Sequence, residues 1–144
     1  MSAVLRAARP EDAMACGVIL TAFAEETPWL PRLHSGAEDI AHCGQMIDRG
    51  WVTVAGARPK GFLARDGAII HALYVAPSAR GQGLGTALLA QAQEANRLEL
   101  WTFQANTGAQ RFYTRHGFQE AERTDGHGND EGLPDIRYIW ERSV

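Results

Sequence analysis

The feature that most constrains this chain is the run Arg80-Gly81-Gln82-Gly83-Leu84-Gly85, set between an apolar stretch at residues 69–75 and a helix-like stretch reaching residue 95. A strand that enters a glycine-rich turn and leaves as a helix points several unpaired backbone N–H groups at one small volume. Gly83 and Gly85 keep Cβ atoms out of that volume, and Arg80 places a guanidinium at its rim. The turn is therefore predicted to seat an anion, in the first instance the pyrophosphate of a cofactor. Two familiar phosphate loops do not fit. A P-loop ends in Gly-Lys-Ser/Thr, whereas Gly85 is followed by Thr86 and Ala87. A dinucleotide fingerprint reads Gly-x-Gly-x-x-Gly after an early strand, and this run is neither early nor so spaced. A glycine turn without a ligand is the remaining alternative.

Around this turn the chain alternates between strand and helix patterns. Residues 4–7 read as a short strand, and Pro10-Glu11-Asp12 opens a helix through about residue 24. Pro28 and Pro31 interrupt the chain, and Ser35 introduces a second helix over residues 37–48. Strands are expected at residues 51–55, 61–64 and 68–75, with Asp66-Gly67 as the hairpin signal between the last two. A helix over 84–95, a strand over 98–103 and a helix after Asn106 follow, with Gly117 as its stop. Residues 118–123 and 136–140 complete the set as strands, joined by a polar loop at 124–135. The order β-α-α-β-β-β-α-β-α-β-β predicts a three-layer α/β fold with a mixed sheet, in one domain spanning residues 1–144.

Two blocks then carry a family resemblance. Residues 73–85, Leu-Tyr-Val-Ala-Pro-Ser-Ala-Arg-Gly-Gln-Gly-Leu-Gly, resemble the acyl-CoA-binding strand, loop and helix start of the GCN5-related N-acetyltransferase (GNAT) superfamily. A second block, Asn106-x-x-Ala109-x-x-Phe112-Tyr113-x-x-x-Gly117-Phe118, is similar to the later helix and strand of that family. The resemblance implies a GNAT-like acyltransferase fold whose central sheet is splayed between the strand ending near Val75 and the strand near residues 100–103. It implies acetyl-CoA as acyl donor. Leu73, Val75, Arg80, Gly81, Gln82, Gly83, Leu84, Gly85, Thr86, Asn106, Ala109 and Tyr113 are the cofactor-binding residues it suggests. It also suggests the backbone N–H near Val75 as a donor to the thioester carbonyl.

Acyl transfer from a thioester to an amine needs a neutral nucleophile, support for the developing oxyanion and a proton for the departing sulfur. Tyr113 matches the family position that protonates the thiolate; the alternative is a helix tyrosine packed by its ring. Asn106 serves either the pantetheine arm or the helix N-terminus, and the two uses are compatible. The base has several candidates. His71 alternates with Ile69, Leu73 and Val75, so its imidazole faces either the acceptor or a packed layer. Ile69 and Ile70 stand where some family members place a strand carboxylate, which puts that mechanism in doubt here. Glu25 and Glu26, near the first helical arm, are further candidates for amine recognition or deprotonation. Trp29, Leu30 and Leu33 are available as an apolar wall of the same pocket.

Partners follow from composition. A net charge of −3 argues against a broad nucleic-acid surface and, weakly, for a cationic or neutral amine over an anionic one. An amine-bearing small molecule is favoured over a protein amine. No apolar span is long enough to cross a bilayer, and no secretion signal is evident, so a cytoplasmic location is the default expectation. Cys16 and Cys43 read as structural thiols, and neither His34 and His42 nor His127 with Asp125 and Asp130 has metal-ligand spacing, so no metal is expected. Monomer and homodimer both remain open. A noncatalytic acyl-CoA sensor is the alternative from another functional class.

Overall fold

The computed structural model describes residues 4–143. Seven strands, β1 (Leu5–Ala7), β2 (Val52–Ala55), β3 (Gly61–Asp66), β4 (Ile69–Val75), β5 (Arg97–Phe103), β6 (Gln119–Thr124) and β7 (Asp135–Glu141), form one sheet in the order β1-β2-β3-β4-β5-β7-β6. Four α-helices flank it: α1 (Ala13–Glu25), α2 (Gly36–Asp48), α3 (Leu84–Ala92) and α4 (Thr107–Arg115). All neighbouring strands run antiparallel except β4 and β5, which are parallel and paired only at Ile69 and Glu99. Beyond that pair the two strands separate, and the mixed sheet is splayed as expected.

Two apolar layers hold the sheet. On one face Cys16, Ile19, Cys43 and Met46 of α1 and α2 bury against Val54, Phe62 and Ala72. On the other, Leu84, Leu88 and Leu89 of α3 and Tyr113 of α4 bury against Leu63, Leu98, Leu100 and Ile136. Burial raises the thiols of Cys16 to about 12 and Cys43 to about 11, so both stay protonated and unreactive at neutral pH. Local signals set the helix ends. Ser35 Oγ accepts from Glu38 N–H (3.2 Å) while the Glu38 carboxylate accepts from Ser35 N–H (2.9 Å), a reciprocal cap for α2. Asn106 Oδ1 accepts from Ala109 N–H (3.1 Å) and starts α4. Helix α3 is shorter than its apolar stripe suggested, because residues 93–96 turn to deliver the chain into β5.

β4 departs from simple alternation. Ala72 pairs with Ala64, but Ile70 pairs with Arg65, which leaves His71 as an extra residue on β4, a bulge. The bulge turns Ile70 toward the α3 layer with Leu73 and Val75, while Ala72 and Tyr74 stay with the α1–α2 layer. The alternation expected for His71 with Leu73 and Val75 is thereby broken.

α1 and α2 form the arm between β1 and β2 and touch at Gly17, where a Cβ would lie 2.5 Å from Ile40 Cγ1 and 2.6 Å from its Cα. The approach ties α1 to α2 through backbone that cannot easily yield. The arm is also fastened to β1. Arg6 donates from Nη1 and Nη2 to the two carboxylate oxygens of Asp12 (2.8 and 3.0 Å), and Arg9 N–H donates to Asp12 Oδ2 (2.7 Å). These bonds hold the buried Asp12 carboxyl below its ordinary value, the Arg6 side chain first. Among the described residues no helix is long and apolar enough to cross a membrane, and no cluster of three or more His, Cys, Asp or Glu could hold a metal.

Two stability predictions follow. Gly17→Ala should destabilise the fold by about 1–3 kcal/mol through overpacking, although alanine is the better helix former. Gly44→Ala, whose Cβ meets only Ala13 Cβ at 3.8 Å, should be neutral or stabilising by up to about 1 kcal/mol. Urea unfolding of the pair checks this, and equal effects would contradict the contact. Because the folded Asp12 pKa is depressed, its contribution is present above the unfolded value near 3.8 and disappears as pH falls through the lower folded value. Asp12→Asn should lower the thermal midpoint at pH 7, and the gap to wild type should close as pH drops from about 4 toward 2; a gap independent of pH would count against the carboxylate.

Candidate functional site

The separation of β4 and β5 opens a cleft of about 1210 Å³ that runs from Arg80 and Gly85 past both strands to the β6–β7 loop. Its walls derive from three sources: Ile70 to Val75 of β4, Leu100 to Phe103 of β5, and Asn106, Ala109, Phe112 and Tyr113 of α4 and its cap. Backbone direction along β4 can be traced from its pairing. Ala76 N–H donates to Lys60 O (2.8 Å) on the β3 side, so with a period of two the N–H groups of Leu73 and Val75 point into the gap. No strand receives them there.

At the mouth the glycine turn has the geometry of an anion seat. Gly81 and Gly83 have φ of 75° and 82°, in the left-handed region, and a Cβ at either would meet nothing within 4 Å, so the space above the turn is open. Gly83 caps α3 without a side-chain bond, and the first helical bond is Ala87 N–H to Gly83 O (3.0 Å). The N–H groups of Leu84, Gly85 and Thr86 are thus free of intrahelical partners. The turn and the unpaired β4 edge fit the two parts of an acyl-CoA, a diphosphate and an amide-bearing arm.

The sequence candidates divide by where the fold puts them. Leu73, Val75, Arg80, Gly85, Asn106, Ala109 and Tyr113 line the cleft. Gly81, Gln82 and Gly83 form the turn and Thr86 lies in the first turn of α3, all beyond that lining, and Leu84 can offer only backbone because its side chain lies in the α3 core. Gly85 differs from the expectation in what it faces: a Cβ there would make ordinary contact with the Phe112 ring at 3.5 Å, so the position lies where α3 packs on α4. Asn106 spends Oδ1 on the cap of α4 and still borders the cleft.

Tyr113 is buried beneath Phe112, Phe118 and Tyr138, with ring centroids 5.2, 5.4 and 6.4 Å away. Burial, then the neighbouring Tyr74, drives its hydroxyl pKa well above the ordinary tyrosine value, so it holds its proton at any physiological pH. His71 borders the cleft, but the bulge carries its ring onto Trp51, stacked at 4.8 Å and 11°, with the side chain exposed. Glu26 borders the cleft as well and is ion-paired with Arg80, which holds its carboxyl below the usual range. Glu25 borders neither this cleft nor the cavity beside it; it is exposed, 4.0 Å from Arg32.

Sequence reasoning overlooked three polar groups. Tyr74, Glu131 and Asp39 all border the cavity beside the cleft, and the hydroxyl of Tyr74 is raised to about 12 by burial and then by the charges of Glu131, Cys43 and Asp39. The signal for Asp39 was present: it sits one turn before Cys43 on the stripe that buries Met46 and Ile47, an odd place for a carboxylate. Glu131 had none, since only the fold returns its loop to the cleft. That loop is pinned by Asn129 Nδ2, which donates to Leu133 O (2.8 Å) and Asp135 Oδ2 (3.1 Å), and by the Thr124 hydroxyl, which donates to Asp135.

Comparison with known proteins agrees with this geometry. The sequence profile described as the acetyltransferase (GNAT) domain matches residues 37–120. An uncharacterized N-acetyltransferase of Methanocaldococcus jannaschii is 36% identical over 96 residues, 55% of this chain and 42% of the relative, so the chain matches less than half of that protein's length. Apo-form YjaB of Escherichia coli superposes with a TM-score of 0.79 at 23% identity, covering 97% of this chain and 98% of the other. YncA of Salmonella typhimurium, a putative acetyltransferase solved with its cofactor acetyl-CoA, superposes at 0.73 with 18% identity over 100% and 96% of the two chains. With a family profile covering more than half its length, the chain belongs to the GNAT acetyltransferases, a family that uses acetyl-CoA.

Proposed function

We propose that this protein transfers an acetyl group from acetyl-CoA to a primary amine, with a small molecule favoured over a protein as acceptor. The observation that carries the reading is the convergence, in one cleft, of an unpaired strand edge, an open glycine turn at a helix start and a buried protonated tyrosine. Arg80 and the N–H groups of residues 81–86 hold the diphosphate, and the β4 edge at Leu73 and Val75 aligns the arm. Fixing donor and acceptor in this way is worth roughly 7–11 kcal/mol of barrier in favourable cases.

The donor supplies an activated thioester. Val75 N–H supports negative charge on its carbonyl oxygen as the amine attacks. Tyr113 gives its proton to the sulfur as the carbon–sulfur bond breaks; burial keeps the hydroxyl protonated before the step. His71 and Glu131 are among the cleft-lining groups able to take the amine proton, directly or through water, as is His127. Glu26 is assigned to Arg80 rather than to proton removal, since its carboxylate is committed to the guanidinium. The second cavity beside the cleft, about 550 Å³, has the size of a compact acceptor.

Tyr113→Phe should lower kcat by about 10²-fold or more while calorimetry shows CoA affinity essentially unchanged; full turnover in the variant would remove Tyr113 as the acid. Binding of acetyl-CoA by the wild type without turnover of any amine would favour a sensor. Because Glu26 competes with the diphosphate for Arg80, Glu26→Gln should tighten CoA binding by up to about fivefold, and Arg80→Ala should weaken it. Loss of turnover in Glu26→Gln with unchanged CoA affinity would instead identify Glu26 as the base.

A further inference from the structure

Beside the cleft lies a second, open cavity lined by α1, the segment at residues 30–34, α2 and the β6–β7 loop. Four residues border both spaces, Phe23, Tyr74, Phe103 and Glu131, and they form the neck between them. Phe23 and Tyr74 meet at 5.1 Å between ring centroids, and Trp29 braces Phe103 edge-on at 5.8 Å. Three aromatic rings beside one carboxylate suit an ammonium group, which gains from ring faces and charge together.

The cavity itself contains an unbalanced charge. Asp39 is only 8% exposed and borders it. Its Oδ2 accepts from Thr21 Oγ1 (2.7 Å); among the described residues its Oδ1 accepts no hydrogen bond and stays accessible, and no Lys, Arg or His lies within ion-pair distance. A carboxylate at a cavity wall with an open oxygen and no cation of its own attracts positive charge from a ligand. Three basic side chains also border the cavity: Arg32 lies 4.0 Å from Glu25, His34 lies 4.0 Å from Glu38, and among the described residues His42 makes no ion pair. Asp130 and Glu38 add further negative charge to the walls.

We infer that the acceptor is a small molecule with two cationic amino groups, one held in the neck by Glu131 and the rings of Phe23, Tyr74 and Phe103, the other bound by Asp39 in the second cavity. The inference rests on the acetyltransferase reading and narrows its substrate class. In the reaction the ammonium at the neck first gives one proton to a base, the neutral amine attacks the thioester carbonyl, the carbon–sulfur bond breaks, and the sulfur leaves as the CoA thiol with the proton of Tyr113, which the second proton lost by the nitrogen replaces. The product carries one positive charge fewer, so its attraction to Glu131 falls and release is favoured. An ω-amino acid of the same length would set its carboxylate against Asp39 and is disfavoured by like-charge repulsion.

The test uses α,ω-diamines from 1,4-diaminobutane to 1,8-diaminooctane, each matched to its monoamine and its ω-amino acid. Turnover is followed by CoA release, and binding by calorimetry on the CoA-loaded protein. At least one diamine should show a KM about tenfold or more below its monoamine, equivalent to about 1.4 kcal/mol, with the amino acid poorest. Asp39→Asn, which keeps an acceptor for Thr21, should raise the diamine KM to the monoamine level, and Glu131→Gln should weaken both amines. An unchanged acetyl-CoA affinity establishes that the variants fold. Equal KM values for diamine and monoamine, preference for the amino acid, no effect of Asp39→Asn, or no amine binding to the CoA-loaded protein would each overturn the inference while leaving the transferase reading standing. Failure of the wild type to bind acetyl-CoA would instead defeat that reading.

Discussion

The single parallel pairing between β4 and β5 is the constraint on which the rest of the structure depends. A strand in the middle of a sheet normally satisfies its backbone on both sides. β4 does so toward β3 along its length but toward β5 only at Ile69 and Glu99. Leaving polar groups unmatched costs about 1–3 kcal/mol each if they are also dry, so the gap is tolerable because it opens to solvent and, in the proposed role, to a ligand with amides of its own. The apolar layers on both faces keep the separated strands in place. Leu98 and Leu100 bury β5 against α3 while Phe62 and Ala72 bury the β3–β4 hairpin against the arm.

From that gap two chemistries diverge. Toward the α3 start, main-chain donors and Arg80 form the proposed diphosphate and amide site, and nearly all of it is backbone. Toward the arm, the site is built from side chains: aromatic rings at the neck, then the buried Asp39. The first part depends on conformation and tolerates change in side chains; the second depends on residue identity. The Glu26–Arg80 pair links them, since the residue just past the end of α1 neutralises the guanidinium at the mouth of the cleft.

The element order was legible because each boundary carried its own chemistry. Ser35 and Glu38 announce α2, Asp66-Gly67 turns β3 into β4, Asn106 starts α4 and Gly117 ends it. The glycine turn was legible for the same reason, since its conformation is local. The bulge at His71 was not, because a two-against-one pairing depends on Arg65 of another strand. Nor was the pairing of Glu26 with Arg80, fifty-four positions apart, or the convergence of Asp39, Tyr74 and Glu131 from three elements. Gly85 shows an intermediate case: its place in the turn was legible, but its position against Phe112 required the packing of α3 on α4.

Backbone amides of β4 and the glycine turn are the proposed cofactor contacts, and amide-resolved NMR during titration with CoA tests them directly. The N–H resonances of Leu73 and Val75, with those of residues 81–86, should shift together at one dissociation constant and gain protection from hydrogen exchange. Ala72 and Tyr74, whose N–H groups face β3, should change far less. Shifts confined to other surfaces, or equal protection along all of β4, would contradict a cofactor site built on the open edge of the sheet.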